Sequence, residues 1–206
     1  MLKIIEDAPE DMTGMAKTPA AGHLFRTNKN CEKLSKKKAQ GFHHIVAKLL
    51  YLCRRMHQDI QTAVAYLCTC IKSPNVDDYK KLKHVIQYLR GTPDLTLTIE
   101  PGEHPRWWVD SSYSVNHDMQ SHSGICMTLG KGVAYSGSNK QKLNTKSSTE
   151  AELVDIDDTM GKVLWTRHFL AEQGQYMPTT TISQDNKSTI LLAENRRPPV
   201  AKGLDI

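Results

Sequence analysis

Arg106-Trp107-Trp108-Val109-Asp110 is an apolar run closed by a carboxylate, and the order of elements that follows it decides the fold. The run is apolar enough to make a central strand. Residues 123–129 and 132–138 predict two more strands, joined across Gly130-Lys131 as a hairpin. Residues 147–172 predict a long helix, residues 179–184 a strand, and residues 186–195 a helix stopped by Pro198-Pro199. Three strands, a helix, a strand and a helix call for an α/β fold, a mixed sheet with flanking helices.

Upstream the period changes. Leu95, Leu97 and Ile99 alternate with threonines and predict a strand ahead of Arg106. Further back, Phe42, Ile45, Val46, Leu49, Leu50, Leu52 and Cys53 recur at helical spacing over residues 35–57. Asp59 is placed to cap a second helix carrying Ile60, Ala63, Val64, Leu67 and Ile71 on one face. Ser73-Pro74 breaks it, and a third helix with Tyr79, Leu82, Val85, Ile86 and Leu89 inward ends at Gly91. Residues 1–34 mix Pro9, Pro19, Gly14 and Gly22 with polar residues and predict a loop or linker. The expected organisation is therefore a linker over 1–34, a small helical segment over 35–91, and an α/β domain over 92–206.

Composition narrows the class. No apolar run approaches the roughly 18 residues a membrane span needs, and the acidic first twenty residues lack a signal-peptide core. An intracellular chain is expected, with cytoplasm and nucleus left open and no membrane partner. Residues 1–105 hold 16 Lys and Arg against 11 Asp and Glu, whereas residues 106–206 hold 11 of each. The basic excess thus precedes the α/β part, densest from Arg26 to Arg55. It suits a polyanionic partner, since each contact with a phosphate releases a counterion; a solvated helix face would look the same. Five cysteines without Cys-x-x-Cys spacing point to neither a disulfide framework nor a zinc site.

The chemistry lies in where acids sit among apolar residues. Asp110 and Asp185 each end a predicted strand, and Glu152 lies on the long helix amid Leu153, Val154 and Ile156. A buried carboxylate is costly unless it is paired or bound to a metal. Any one of the three alone would be an ordinary cap or surface acid. Together, from strand, helix and strand, they can converge on hard cations such as Mg²⁺ or Mn²⁺. Glu150 is about 200° around the helix from Glu152, so only one of the two can face inward. Asp155, one turn beyond Glu152, is expected at the surface beside Asp157 and Asp158.

Taken in order, several motifs carry a resemblance. They are Trp107-Trp108-Val109-Asp110, Ser121-His122-Ser123-Gly124, Lys140-Gln141-Lys142, Ser147-Ser148-Thr149-Glu150-Ala151-Glu152-Leu153 and Gln184-Asp185-Asn186-Lys187-Ser188 with Ala193-Glu194-Asn195. This series resembles the ribonuclease H segment of copia-type retrotransposon polyproteins. Ala47-Lys48-Leu49-Leu50-Tyr51-Leu52, Asp59-Ile60-Gln61-Thr62-Ala63-Val64 and residues 82–92 are similar to the end of the same family's reverse transcriptase, its thumb and connecting region. The resemblance implies a ribonuclease H-like mixed sheet preceded by a thumb- or connection-like segment. It also implies metal-dependent hydrolysis of the RNA strand of RNA–DNA hybrids, within a larger reverse transcriptase polyprotein. Two Mg²⁺ or Mn²⁺ ions would be held by Asp110, Glu152, Asp185 and a fourth acid, Asp205, with Asp110 bridging both. The choice of Glu152 follows the family's Glu-Leu pattern at this helix start. Ser111, Ser112, Asn186 and Ser188 flank the acids and are candidate contacts for the nucleic acid, though turn and cap roles suit them equally.

Two features depart from the family pattern. Gly203 stands where the family usually has a His, and no helix follows Asp205, so the domain is expected to be C-terminally truncated and this segment's own activity is open. The rival expectations are a non-catalytic remnant that at most binds hybrids, and an unrelated α/β nuclease or integrase-like domain. Val76-Asp77-Asp78-Tyr79 resembles a polymerase aspartate pair only superficially. It follows Pro74 at a helix start, where acids favour the helix dipole.

Overall fold

The computed structural model describes residues 1–28 and 30–194. Four helices come first: α1 (Leu2–Glu6), α2 (Lys36–Arg55), α3 (Gln61–Cys70) and α4 (Val76–Gly91). Strands β1 (Glu100–Ser112), β2 (His122–Lys131) and β3 (Val133–Lys140) follow, then α5 (Ser148–Glu172), β4 (Ile182–Ser183) and α6 (Lys187–Glu194). No described helix is long and apolar enough to cross a membrane.

Helix α2 starts where the Ser35 side chain accepts the Lys38 N–H, and buries Phe42, Ile45, Val46, Leu49, Leu52 and Cys53. Its last turn carries Arg54 and Arg55, which suits the negative end of the helix dipole. Helix α4 starts with a capping box. Asn75 Oδ1 accepts the Asp78 N–H at 2.9 Å, and Asp78 Oδ2 accepts the Asn75 N–H at 3.0 Å. Asp77 pairs with Lys81 one turn on, so the Asp77-Asp78 pair is occupied in building a helix end. Asp59 is not the cap of α3. It sits in a 3-10 turn, Gln58–Ile60, and its carboxylate accepts Tyr88 Oη at 2.7 Å. The core of these helices also takes in Met12 and Leu24. Residues 1–34, expected as a loop or linker, thus include a short helix and pack apolar side chains into the bundle.

The sheet has the order β3-β2-β1-β4, with β1 antiparallel to β2 and parallel to β4. β1 is an interior strand, as its apolar sequence requires, and Trp107 and Val109 face α5 with Ile125 and Met127 from β2. The alternating residues 95–99 form no strand. β1 begins at Glu100, where Lys131 offers a pairing partner, and Leu95 and Ile99 stay exposed. The hairpin pivots on Gly132 rather than on Gly130-Lys131. Gly132 alone separates β2 from β3, at φ +85°, a conformation glycine adopts at little cost. Strand β4 has two residues, shorter than the six expected, because only Ile182 and Ser183 pair with Trp107 and Trp108.

Helix α5 packs on β1 with an unusual stripe. Its buried residues are Ala151, Glu152, Asp155, Thr159, Val163 and Thr166, mostly polar, while Met160, Leu164, Trp165 and Phe169 face outward. The Trp165 and Phe169 rings stack at 5.1 Å on that outer face. The bundle meets the sheet through α3 and β3. Gln61 Nε2 donates to the Ser136 carbonyl and Ser138 Oγ to Thr62 Oγ1, both at 3.3 Å, and the Phe25 ring lies against His122.

Candidate metal centre

Asp110 reaches the site from near the end of β1, Glu152 from the second turn of α5, and Asp185 from the residue pair after β4. The parallel pairing of β1 with β4 carries the two aspartates to the same end of the sheet. A ligand oxygen from each of the three carboxylates lies within 4.8 Å of the others. Glu152 is buried, while Asp110 and Asp185 are open to solvent.

Glu152 is held at both oxygens. Its Oε1 accepts the Ser111 N–H at 3.2 Å and its Oε2 accepts Gln184 Nε2 at 2.7 Å. Gln184 is also the turn former, since its Oε1 accepts the N–H groups of Asp185 and Asn186. Burial raises the Glu152 carboxyl above its ordinary value; the two hydrogen bonds oppose this and the nearby Asp110 charge adds to it. None of the three acids forms an ion pair with a Lys, Arg or His among the described residues. Three converging carboxylates without a protein cation are the donor set a hard divalent ion satisfies, and each oxygen of Glu152 keeps a free lone pair after its hydrogen bond.

Glu150 has a different task. Its N–H is accepted by Ser147 Oγ and its Oε2 accepts the Lys146 N–H, so it caps α5 and stays exposed. Asp155 corrects an expectation of exposure. It is fully buried beneath the sheet-facing side of α5, and neither carboxylate oxygen has a hydrogen-bond partner. Burial pushes its carboxyl up to about 7; Ser123 opposes the shift and the Glu152 charge adds to it. The three-residue step from Glu152 to Asp155 could have signalled this, because it keeps both on one helix face.

The other candidates divide. Ser111 is half-buried, its N–H engaged by Glu152 and its Oγ without a partner; Ser112 is exposed at the end of β1. Asn186 caps α6, its Oδ1 accepting the Thr189 N–H at 3.1 Å, and Ser188 is exposed on the first turn of that helix. Asp205 and Gly203 lie outside the described residues. Gln184 was not singled out from sequence. A lone glutamine before an acid carries no signal until β4 and α5 are seen side by side.

Comparison with known proteins bears on the origin of this constellation. Over 185 residues, 86% of the chain, it is 28% identical to the retrovirus-related Pol polyprotein from transposon TNT 1-94 of Nicotiana tabacum. Over 160 residues, 73% of the chain, it is 31% identical to the retrovirus-related Pol polyprotein from transposon RE2 of Arabidopsis thaliana. Its homologues are Pol polyproteins of plant transposons. The polyprotein from transposon RE1 of the same plant is 30% identical over 63% of the chain. The resemblance drawn from the motifs, to a copia-type polyprotein, is in keeping with these relatives. The chain spans 14%, 11% and 9% of the three Pol polyproteins, so it corresponds to a limited part of each. No family model and no solved structure matches it.

Proposed function

We propose that this part of a Pol polyprotein is a ribonuclease H-type nuclease, hydrolysing the RNA strand of RNA–DNA hybrids with two divalent ions. The observation that carries the reading is the convergence of Asp110, Glu152 and Asp185 within 4.8 Å. Ions at this cluster would activate a water for attack on the phosphodiester and neutralise charge on the leaving oxygen. The chain's own groups do the positioning. Asp110 and Asp185 are the solvent-facing ligands, open to an approaching phosphate. Glu152 is the anchored one, fixed by Ser111 and Gln184 so that the cluster keeps its shape when a cation arrives. Asp205 is the fourth ligand of this proposal.

Hydroxyls of Ser112 and Ser188 are exposed near the acids and suit 2′-hydroxyl contacts, which tell RNA from DNA. Recognition through groove and backbone leaves base sequence unread. The basic first half of the chain supports the same polyanionic partner. The test offers labelled RNA in three forms, as an RNA–DNA hybrid, as RNA duplex and as single strand, with Mg²⁺ present. Cleavage confined to the hybrid is expected. Hybrid binding without cleavage would favour the non-catalytic remnant, and equal cleavage of all three would overturn the hybrid specificity.

A further inference from the structure

The sheet face opposite α5 is only partly covered. Strand alternation sets Trp108 and Asp110 on that face, two residues and roughly 7 Å apart along β1. Helix α3 and the turn before it lie over β3 on the same side. Between them remains a groove of about 420 Å³, with Trp108 and Asp110 on one wall and Gln58, Gln61 and Thr62 on the other. Trp108 lines this space and is 41% exposed, unlike its neighbour Trp107, which is buried against α5. The facing side chains keep polar capacity to spare. The Gln58 carbonyl accepts the Gln61 N–H, while its side-chain amide has no hydrogen-bond partner among the described residues. Gln61 uses its amide N–H on Ser136 and leaves its carbonyl free, and Thr62 accepts from Ser138 and can still donate. Asp59, also at the groove, has its carboxylate engaged by Tyr88 and His57, which softens its repulsion of an anion.

An exposed indole beside a carboxylate cluster, facing uncommitted amides, has the chemistry of a stacking platform. Bases stack on aromatic faces without regard to sequence, because every base has a π face. We propose that this groove is a nucleotide subsite: Trp108 stacks on the base of an unpaired nucleotide whose phosphate lies at Asp110. Gln58, Gln61 and Thr62 meet the base edge and sugar. Hydrogen bonds of 3.3 Å between α3 and β3 close the groove on that side. The place of the phosphate rests on the nuclease reading, whereas the stack on Trp108 does not.

The test uses the full chain and a short fluorescein-labelled single-stranded RNA, titrated once in EDTA and once in Ca²⁺. Trp108→Ala should weaken binding about tenfold or more in both conditions, the loss expected for one base–aromatic stack. Trp108→Phe should restore most of it, which also guards against a folding defect. Trp165→Ala, which removes an exposed indole on the outer face of α5, should leave binding unchanged. The effect should vanish on an abasic oligonucleotide of equal length. Wild-type affinity in Trp108→Ala, an equal loss in Trp165→Ala, or no RNA binding by the native chain would overturn the proposal. Mn²⁺ titration separates the two readings. Absent metal binding with a persistent Trp108 effect would remove the nuclease and keep the stacking site.

Discussion

Gln184 donates from Nε2 to Glu152 Oε2 at 2.7 Å, tying the turn that presents Asp185 to the helix that presents Glu152. The same side chain accepts two N–H groups of that turn through its Oε1. One residue therefore sets both the spacing and the orientation of two of the three converging acids. Strand β4, with only two paired residues, is too short to fix Asp185 alone.

Gln184→Ala should accordingly lower divalent-metal affinity by about 10–100-fold, the usual cost of losing a partner that orients a ligand. Mn²⁺ titration followed by electron paramagnetic resonance reads this directly. Unchanged affinity would mean that the cluster holds its geometry without the glutamine.

The two glutamates of α5 should separate cleanly by substitution. Glu150→Ala removes the acceptor for the Lys146 N–H and should cost about 0.3–1.5 kcal/mol of stability, with metal binding intact. Glu152→Gln should abolish metal binding, since it removes the anchored ligand charge. Thermal melts and Mn²⁺ titrations of both variants decide the matter, and metal binding lost on the Glu150 substitution would reverse the assignment.

Asp155 and His122 should give opposing pH dependences. Asp155 is raised from 3.8 to about 7 in the fold, so the stability tied to its protonated form is lost as pH rises through that window. His122 is lowered from 6.5 to about 4 by burial, so stability tied to its neutral form is lost as pH falls through its own window. Between about pH 4 and 6.5 the two slopes oppose each other, and the native chain should show a flattened profile there. Asp155→Ala should unmask stability that rises with pH, and should also raise stability at pH 8, where the partnerless carboxylate is charged. Urea unfolding across pH 4–8 measures this; parallel profiles for the two chains would contradict it.

Much of this architecture is legible in residue patterns. The spacing of Phe42 through Cys53 marks α2, and the apolar run before Asp110 marks an interior strand. What escaped were features that depend on a partner in space. The alternation at Leu95, Leu97 and Ile99 satisfies the pattern of a strand, yet pairing begins only at Glu100, opposite Lys131. Met12 and Leu24 sit in irregular backbone, where no period announces burial. At Asp155 the acidic neighbours suggest solvent, whereas helix phase from Glu152 carries the side chain inward. Gln184 became visible only when β4 was set beside α5.

Asp110, Glu152 and Asp185 are proposed to form one metal-dependent RNA-cleaving centre. The most direct measurement is cleavage of a labelled RNA–DNA hybrid by the native chain and by Asp110→Asn, each with Mg²⁺ and with EDTA. RNA cleavage is expected from the native chain in Mg²⁺ alone, and none from Asp110→Asn under either condition, with both proteins equally folded. Cleavage that survives in Asp110→Asn or in EDTA, or a folded, Mg²⁺-loaded native chain that leaves the RNA strand intact, would contradict the proposal.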